Sequence, residues 1–227
     1  MPLVVVDTSV SLPATLSEPG GLARKFMVLL AYGALTYREE HLNLELSELE
    51  KEVARGGGEI RGTEALRRMR GEAADRRSAL AELLPHGTPA DLVAAGSAAL
   101  FDEYLRKVRE KAPVFGLDID ETSALARLAR LQAICVHAAK PFDLTNVPAF
   151  TSDPTDDPIV YSAFRAGADL IVSDDRHIVP KAERPVTLYE HEDERVAAMT
   201  FDHLMHDMLS DVDWGRIDGR WLVEAFR

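Results

Sequence analysis

Apolar residues along the chain gather into short dense blocks separated by polar breaks. Leu3–Val6 (LVVV) is a β-branched run that stops at Asp7-Thr8-Ser9 and predicts a short buried strand over 3–7. Pro19-Gly20-Gly21 marks a turn, after which LARKFMVLLAYG has the apolar density of a packed helix. A short strand is predicted around 34–37, then a helix over 39–54, where Leu42, Leu46, Leu49 and Val53 recur at helical spacing. Arg55-Gly56-Gly57-Gly58 ends that helix, because each interior glycine costs about 1 kcal/mol.

From 62 to 111 the pattern predicts charged helix, interrupted at Pro85-His86-Gly87, with Thr88-Pro89-Ala90-Asp91 reading as a cap and first turn. A further helix is predicted over 121–138, then a Pro/Asp/Thr/Asn-rich loop over 142–158 and a helix over 159–166. ADLIVS (168–173) reads as a buried strand and 186–189 as another. The tail, 194–227, is predicted helical at least through Leu209. Strands alternating with helices argue for an α/β protein with a mostly parallel sheet. The expected organisation is a single domain over 1–227, carrying a helical insertion at 55–116 and a helical C-terminal extension at 194–227.

Composition narrows the classes. Of 227 residues 46% are hydrophobic and 28% charged, which excludes wholesale disorder and fibrous repeats. The longest apolar run, FMVLLAYGAL, is well short of the roughly 18 residues that span a bilayer, so no membrane partner is expected. A lone cysteine, Cys135, forms no intramolecular disulfide and fits a reducing cytoplasm. The formal charge of −12 opposes a large non-specific nucleic-acid footprint. Any phosphate chemistry must therefore bring its own cations.

Carboxylates at strand ends carry the candidate chemistry. Asp7 closes the first strand; Asp153, Asp156 and Asp157 sit in SDPTDDP before a helix; Asp174 and Asp175 close ADLIVS. In open α/β sheets ligands bind outside the carboxyl ends of the strands. If the first strand and 170–173 are neighbours, Asp7 and Asp175 meet there, and the SDPTDD loop delivers Asp156. Clustered carboxylates repel one another unless a divalent cation sits among them, and an all-oxygen donor set favours Mg²⁺ or Mn²⁺. Taken singly, each acid is also an ordinary cap or turn residue.

VVVDTSV near the start, followed late in the chain by DPTDDPIVYSAFRAGADLIVSDD, resembles the PIN domain superfamily of metal-dependent ribonucleases, and within it the toxin components of bacterial toxin–antitoxin operons. The likeness covers roughly 1–54 and 117–210. It implies a PIN-like fold and an endoribonuclease that hydrolyses an RNA phosphodiester with one or two Mg²⁺ or Mn²⁺ ions, leaving a 5′-phosphate and a 3′-hydroxyl. It further implies an antitoxin protein as partner, and a homodimer. Carried onto this chain, the family's first acid falls on Asp7, the third on Asp156 and the fourth on Asp175, with all three as metal ligands. The helix-borne glutamate falls in EEHLNLELSELE, on Glu45 or, one turn on, Glu48. Ser9 and Ser173 take supporting positions. His177 stands where the family often has a further acid, for which Asp174 or Asp153 compensates, and Asp157 lies beside the set.

RNA contacts are expected from the basic stretch 51–77, whose eight Lys and Arg face five acids; Arg67, Arg68 and Arg70 are the candidates, against the simpler reading of a solvated helix face. A second cluster is RKVREK at 106–111. Two rival functions stand beside the nuclease: a PIN fold without catalysis that binds RNA or protein, and a haloacid-dehalogenase-like phosphatase, since Asp118-x-Asp120-x-Thr122 resembles that family's opening motif, with Lys140 and Asp174-Asp175 downstream. Against the phosphatase, Asp120 reads as the cap of the helix that begins at Glu121. His203-x-x-His206 on a helix, and Trp214 with Trp221, read as surface and anchoring residues rather than ligands or base-stacking groups.

Overall fold

The structure is a computed structural model; it describes residues 2–16, 20–55, 60–84, 86, 88, 92–138, 147–180, 186–191, 194–220 and 222. A sheet of order β3-β2-β1-β4-β6-β5 forms its centre. The strands are β1 (Leu3–Val6), β2 (Val93–Gly96), β3 (Cys135–Ala138), β4 (Leu170–Val172), β5 (Val186–His191) and β6 (Glu194–Met199). All neighbours pair in parallel except β5, which runs antiparallel along β6. Around the sheet lie α1 (Thr8–Leu16), α2 (Leu22–Ala54), α3 (Ile60–Ala81), α4 (Ala98–Lys111), α5 (Glu121–Ile134), α6 (Asp157–Ala166) and α7 (Phe201–Asp207).

β1 is buried along its whole length, as expected of a central parallel strand. Successive side chains serve opposite faces. Val4 and Val6 join Ala94, Leu170 and Val172 in a core with α1, α2, α4 and α5, where Phe26, Leu30, Tyr104 and Leu131 are buried. Val5 joins Val93, Ala95 and Ile171 on the other face, covered by Ile159, Val160 and Ala163 of α6. Tyr104 is fully buried and its hydroxyl donates to Thr15 at 2.5 Å; burial pushes its pKa up to about 12. No helix among the described residues is long and apolar enough to cross a membrane.

Four sequence-based expectations are corrected. The strand at 34–37 does not form, because α2 runs unbroken from Leu22 to Ala54. Its first half is buried all round from Phe26 through Ala31 and again at Ala34 and Leu35, while the Thr36 hydroxyl donates to the Tyr32 carbonyl at 3.1 Å, so packing overrides the β preference of Thr and Tyr. The 55–116 segment is not a helical insertion, since β2 pairs with β1 on one side and β3 on the other. VAAG carries little β propensity, and its place is fixed by burial on both faces. The helix predicted over 121–138 stops at Ile134 and passes directly into β3. The tail begins with a strand: ERVAAM is rich in helix formers, yet it forms β6 between β4 and β5.

Gly96 shows how tightly β2 is placed. A Cβ there would stand 2.3 Å from the Phe101 ring and 3.1 Å from the Cys135 sulfur. Gly96→Ala is expected to destabilise the fold by about 1–3 kcal/mol, as overpacking does, measured by urea denaturation. A change under about 0.5 kcal/mol, the range of ordinary surface substitutions, contradicts it.

Candidate functional site

Strand order reverses at β1: the chain proceeds to β2 on one side, whereas β4 lies on the other. That is a topological switch point, where connections leave the sheet in opposite directions and open a crevice above the carboxyl ends. Asp7 follows β1 and Ser173-Asp174-Asp175 follows β4, and the two strands pair with Val6 opposite Val172. The expected adjacency of Asp7 and the second acidic pair therefore rests on direct strand pairing.

Asp7 is only 2% exposed and is held from several directions. Its Oδ2 accepts from the Ser9 amide at 3.2 Å, the Ser9 hydroxyl at 2.6 Å and the Ser173 hydroxyl at 2.7 Å. The two Ser9 bonds are local, the one from its amide capping α1, and the Ser173 hydroxyl bond ties β1 to β4 across the crevice. Ser173 Oγ also accepts from the Asp175 amide at 3.0 Å, and Asp175 Oδ1 accepts from the His177 amide at 2.8 Å, so the loop after β4 is set by the same hydroxyl. Asp174 turns away: its Oδ1 accepts from the Phe201 amide at 2.9 Å, at the start of α7.

Asp156 precedes α6 but makes no side-chain cap. Its neighbours do the local structural work. Asp153 Oδ1 closes the turn by accepting from the Thr155 amide at 2.9 Å, while buried Asp157 accepts from the amides of Phe150 and Thr151 at 2.9 and 2.8 Å. Asp156 Oδ2 is left buried with no hydrogen-bond partner, and such an atom carries a desolvation cost. Burial first, and then Asp175, Asp153, Asp7 and Glu103, push the Asp156 carboxyl up to about 6. Acids from four parts of the chain thus act on one carboxylate.

Glu103, on α4, was not anticipated. Thr8 Oγ1 donates to its Oε1 at 2.8 Å and lies 3.4 Å from Asp7 Oδ1, and the Lys107 ammonium is 3.6 Å away. Burial and then Asp7 raise the Glu103 pKa, against the Thr8 hydrogen bond. A cleft of about 300 Å³ joins Glu103 and Asp156, with Asp102, Arg106, Lys107 and Thr155 in its wall. The expected glutamates are elsewhere: Glu45 is exposed on α2, paired with His41 at 3.1 Å, and Glu48 is exposed one turn on. His177 accompanies the Asp175 loop, its ring 2.9 Å from the Ser152 hydroxyl.

The arrangement raises a clear pH signature. A folded pKa above the ordinary aspartate value means the native state binds a proton more tightly than the unfolded chain, so stability is lost as pH rises through about 6. The full shift corresponds to roughly 3 kcal/mol, which solvent screening at this partly exposed group reduces to about 1 kcal/mol. In chelator, the wild type is expected to lose about that much relative to Asp156→Asn between pH 4 and 7, read by urea denaturation; parallel curves refute it.

The donors are all oxygen, which suits Mg²⁺ or Mn²⁺ over softer metals. Among the described residues no three His, Cys, Asp or Glu close into a ready-made ion cage, so Asp7, Asp156 and Asp175 do not stand as one. A hydrated Mg²⁺ needs less, since it keeps several waters and takes one or two carboxylates. The unpartnered Asp156 Oδ2, facing mutually repelling acids, fits that demand.

The remaining candidates separate from this crevice. Arg67 and Arg68 lie on α3 and are engaged by Glu50 at 2.6 Å and Glu72 at 4.0 Å, while Arg70 is exposed. Asp118 and Asp120 follow no strand; Asp120 caps α5 by accepting from the Ser123 amide at 2.7 Å, and Lys140 lies outside the described residues. Asp120→Ala is expected to cost about 1 kcal/mol of stability and Asp118→Asn almost nothing, neither changing any phosphodiester or phosphatase activity by more than about twofold; abolition by Asp118→Asn overturns this. Trp214 is half-buried near Leu209, and Trp221 lies outside the described residues. Comparison with protein-family models, with curated proteins and with solved structures finds no match for this chain.

Proposed function

We propose that this protein is a metal-dependent endoribonuclease of PIN type. One observation carries the reading: a buried aspartate at the switch point, with acids from α4, the loop before α6 and the loop after β4 acting together on Asp156. The resemblance of VVVDTSV and of the 152–177 stretch to PIN nucleases supports it, since both segments border that one crevice.

Asp156 and Asp175 would hold a divalent ion with Glu103 beside them, and Asp7, fixed by Ser9 and Ser173, supplies the fixed charge behind them. When bound, the ion supplies an acidified water and neutralises charge on the scissile phosphate. The chain's own part is to hold carboxylates in one orientation through the Ser9, Ser173 and Thr8 hydroxyls, and to present Arg106 and Lys107 in the cleft wall where RNA phosphate would lie. Cleavage of labelled RNA should require Mg²⁺ or Mn²⁺ and stop on chelation; no cleavage with either ion defeats the reading. The antitoxin and homodimer expectations belong to this proposal, and copurification of a small cotranscribed protein is their test.

A second reading, a PIN fold that binds without cleaving, draws on the lack of a three-residue ion cage among the described residues and on His177 in place of an acid. It requires RNA binding without turnover in the same assay.

A further inference from the structure

One cavity lies away from the acidic crevice. It holds about 470 Å³ at the root of the α2–α3 hairpin, beside edge strand β3. That volume is within the roughly 300–1,000 Å³ of small-molecule pockets. Its apolar wall comes from Leu35, Leu42, Met69 and Val136. Met69 is half exposed, an unusual place for a long apolar side chain. Tyr37 stacks on His41 with ring centroids 6.0 Å apart and planes 8° from parallel, giving the pocket a flat aromatic face.

Its charge is the informative feature. In a chain of net charge −12, two guanidiniums, Arg38 and Arg76, face this cavity. Arg38 is half-buried and fixed in place by donating to the Ala133 carbonyl. Burial lowers its pKa, Cys135 works against that, and Arg76 lowers it further by repulsion. Of the acids nearby, Glu39 pairs with Arg77 at 2.8 Å, while Glu72 lines the pocket and stands 4.0 Å from Arg68 in an exposed pair, leaving one carboxylate against two guanidiniums in the lining. Among the described residues neither Arg38 nor Arg76 has an ion-pair partner. Paired guanidiniums at the mouth of an apolar, aromatic pocket are complementary to a flat molecule with an anionic end.

We propose that this pocket binds a planar organic anion, its ring against Tyr37 and Met69 and its phosphate or carboxylate at Arg38 and Arg76. The site is independent of the acidic crevice, so it stands whether or not the chain cleaves RNA.

Calorimetric titration of the full chain tests it with 5′-AMP as phosphate probe and phenylacetate as carboxylate probe. Adenosine and inorganic phosphate serve as the ring-only and charge-only controls. At least one ring-bearing anion should bind, with the matching control weaker by about tenfold or more, as loss of a charge-assisted hydrogen bond implies. Binding of 5′-AMP alone assigns a phosphate ligand, and binding of phenylacetate alone a carboxylate. Arg76→Gln, at an exposed position that does not threaten folding, should weaken binding by about tenfold, while Asp7→Asn leaves it unchanged. The proposal is overturned if neither anion binds at millimolar concentration, if Arg76→Gln binds as wild type does, or if Asp7→Asn abolishes binding.

Discussion

Asp7→Asn should remove RNA cleavage almost completely while leaving the apo protein as stable as the wild type, or more so. The activity loss should lie near the upper end of the roughly 10–100-fold that groups behind a metal's ligands carry, because Asp7 is the buried charge that acts on both Asp156 and Glu103. The stability half follows from the bonds Asp7 makes. Its partners are the Ser9 amide and the Ser9 and Ser173 hydroxyls, and an asparagine oxygen accepts from the amide while hydroxyls rotate to donate or accept as the amide group requires. What disappears is a buried negative charge that raises both Asp156 and Glu103. Removing it relieves repulsion and lowers the Asp156 pKa toward its ordinary range, although burial, the first cause, persists. Two measurements decide the matter together: initial cleavage rates in Mn²⁺, and the thermal midpoint in chelator. Activity within about twofold of wild type removes Asp7 from the chemistry. A midpoint lowered by more than about 5 °C, equivalent to roughly 1–2 kcal/mol, makes its role structural instead.

How far the sequence was legible depended on whether chemistry or packing set each element. β1 and β4 were readable because LVVV and LIV are β-branched or aliphatic runs that end on acids, and those ends define the crevice. Asp7 and Asp175 stood out for the same reason, since each closely follows a point where hydrophobicity stops; Asp156 was reached instead from its acid-rich loop and from the resemblance. β2 and β6 were not. VAAG and ERVAAM have the local preferences of helix or turn, and only a neighbour on each side makes them strands. Missing β2 had a further consequence. Without a strand ahead of it, α4 read as one more charged surface helix, and nothing distinguished Glu103 from the acids around it. The Glu45 expectation came from the resemblance, which placed the glutamate in EEHLNLELSELE, in the helix expected over 39–54. Here that segment is the second half of α2, where Leu46 alone is buried and Glu45 and Glu48 face solvent.

That difference makes Glu103 the sharpest discriminator. Glu103→Gln should lower cleavage by about 10–100-fold, whereas Glu45→Gln and Glu48→Gln should change it by less than about twofold. Glu103 stands one hydroxyl away from Asp7 through Thr8, shares the cleft with Asp156, and has its pKa raised by burial and by Asp7. Its carboxylate also balances Lys107 at 3.6 Å, a partly exposed pair of small worth to stability. Glutamine keeps the oxygen that Thr8 donates to and loses only the charge, so the fold is expected to survive and a loss of activity reports on chemistry. Glu45, by contrast, is half exposed against His41, and its charge is screened from the crevice by solvent. Calorimetric titration with Mn²⁺ gives a readout separate from turnover: Glu103→Gln should weaken binding and Glu45→Gln should not. The reverse pattern, with Glu45→Gln inactive and Glu103→Gln unchanged in both assays, would return the glutamate to α2 and mean that RNA or metal draws the hairpin toward the sheet's carboxyl edge.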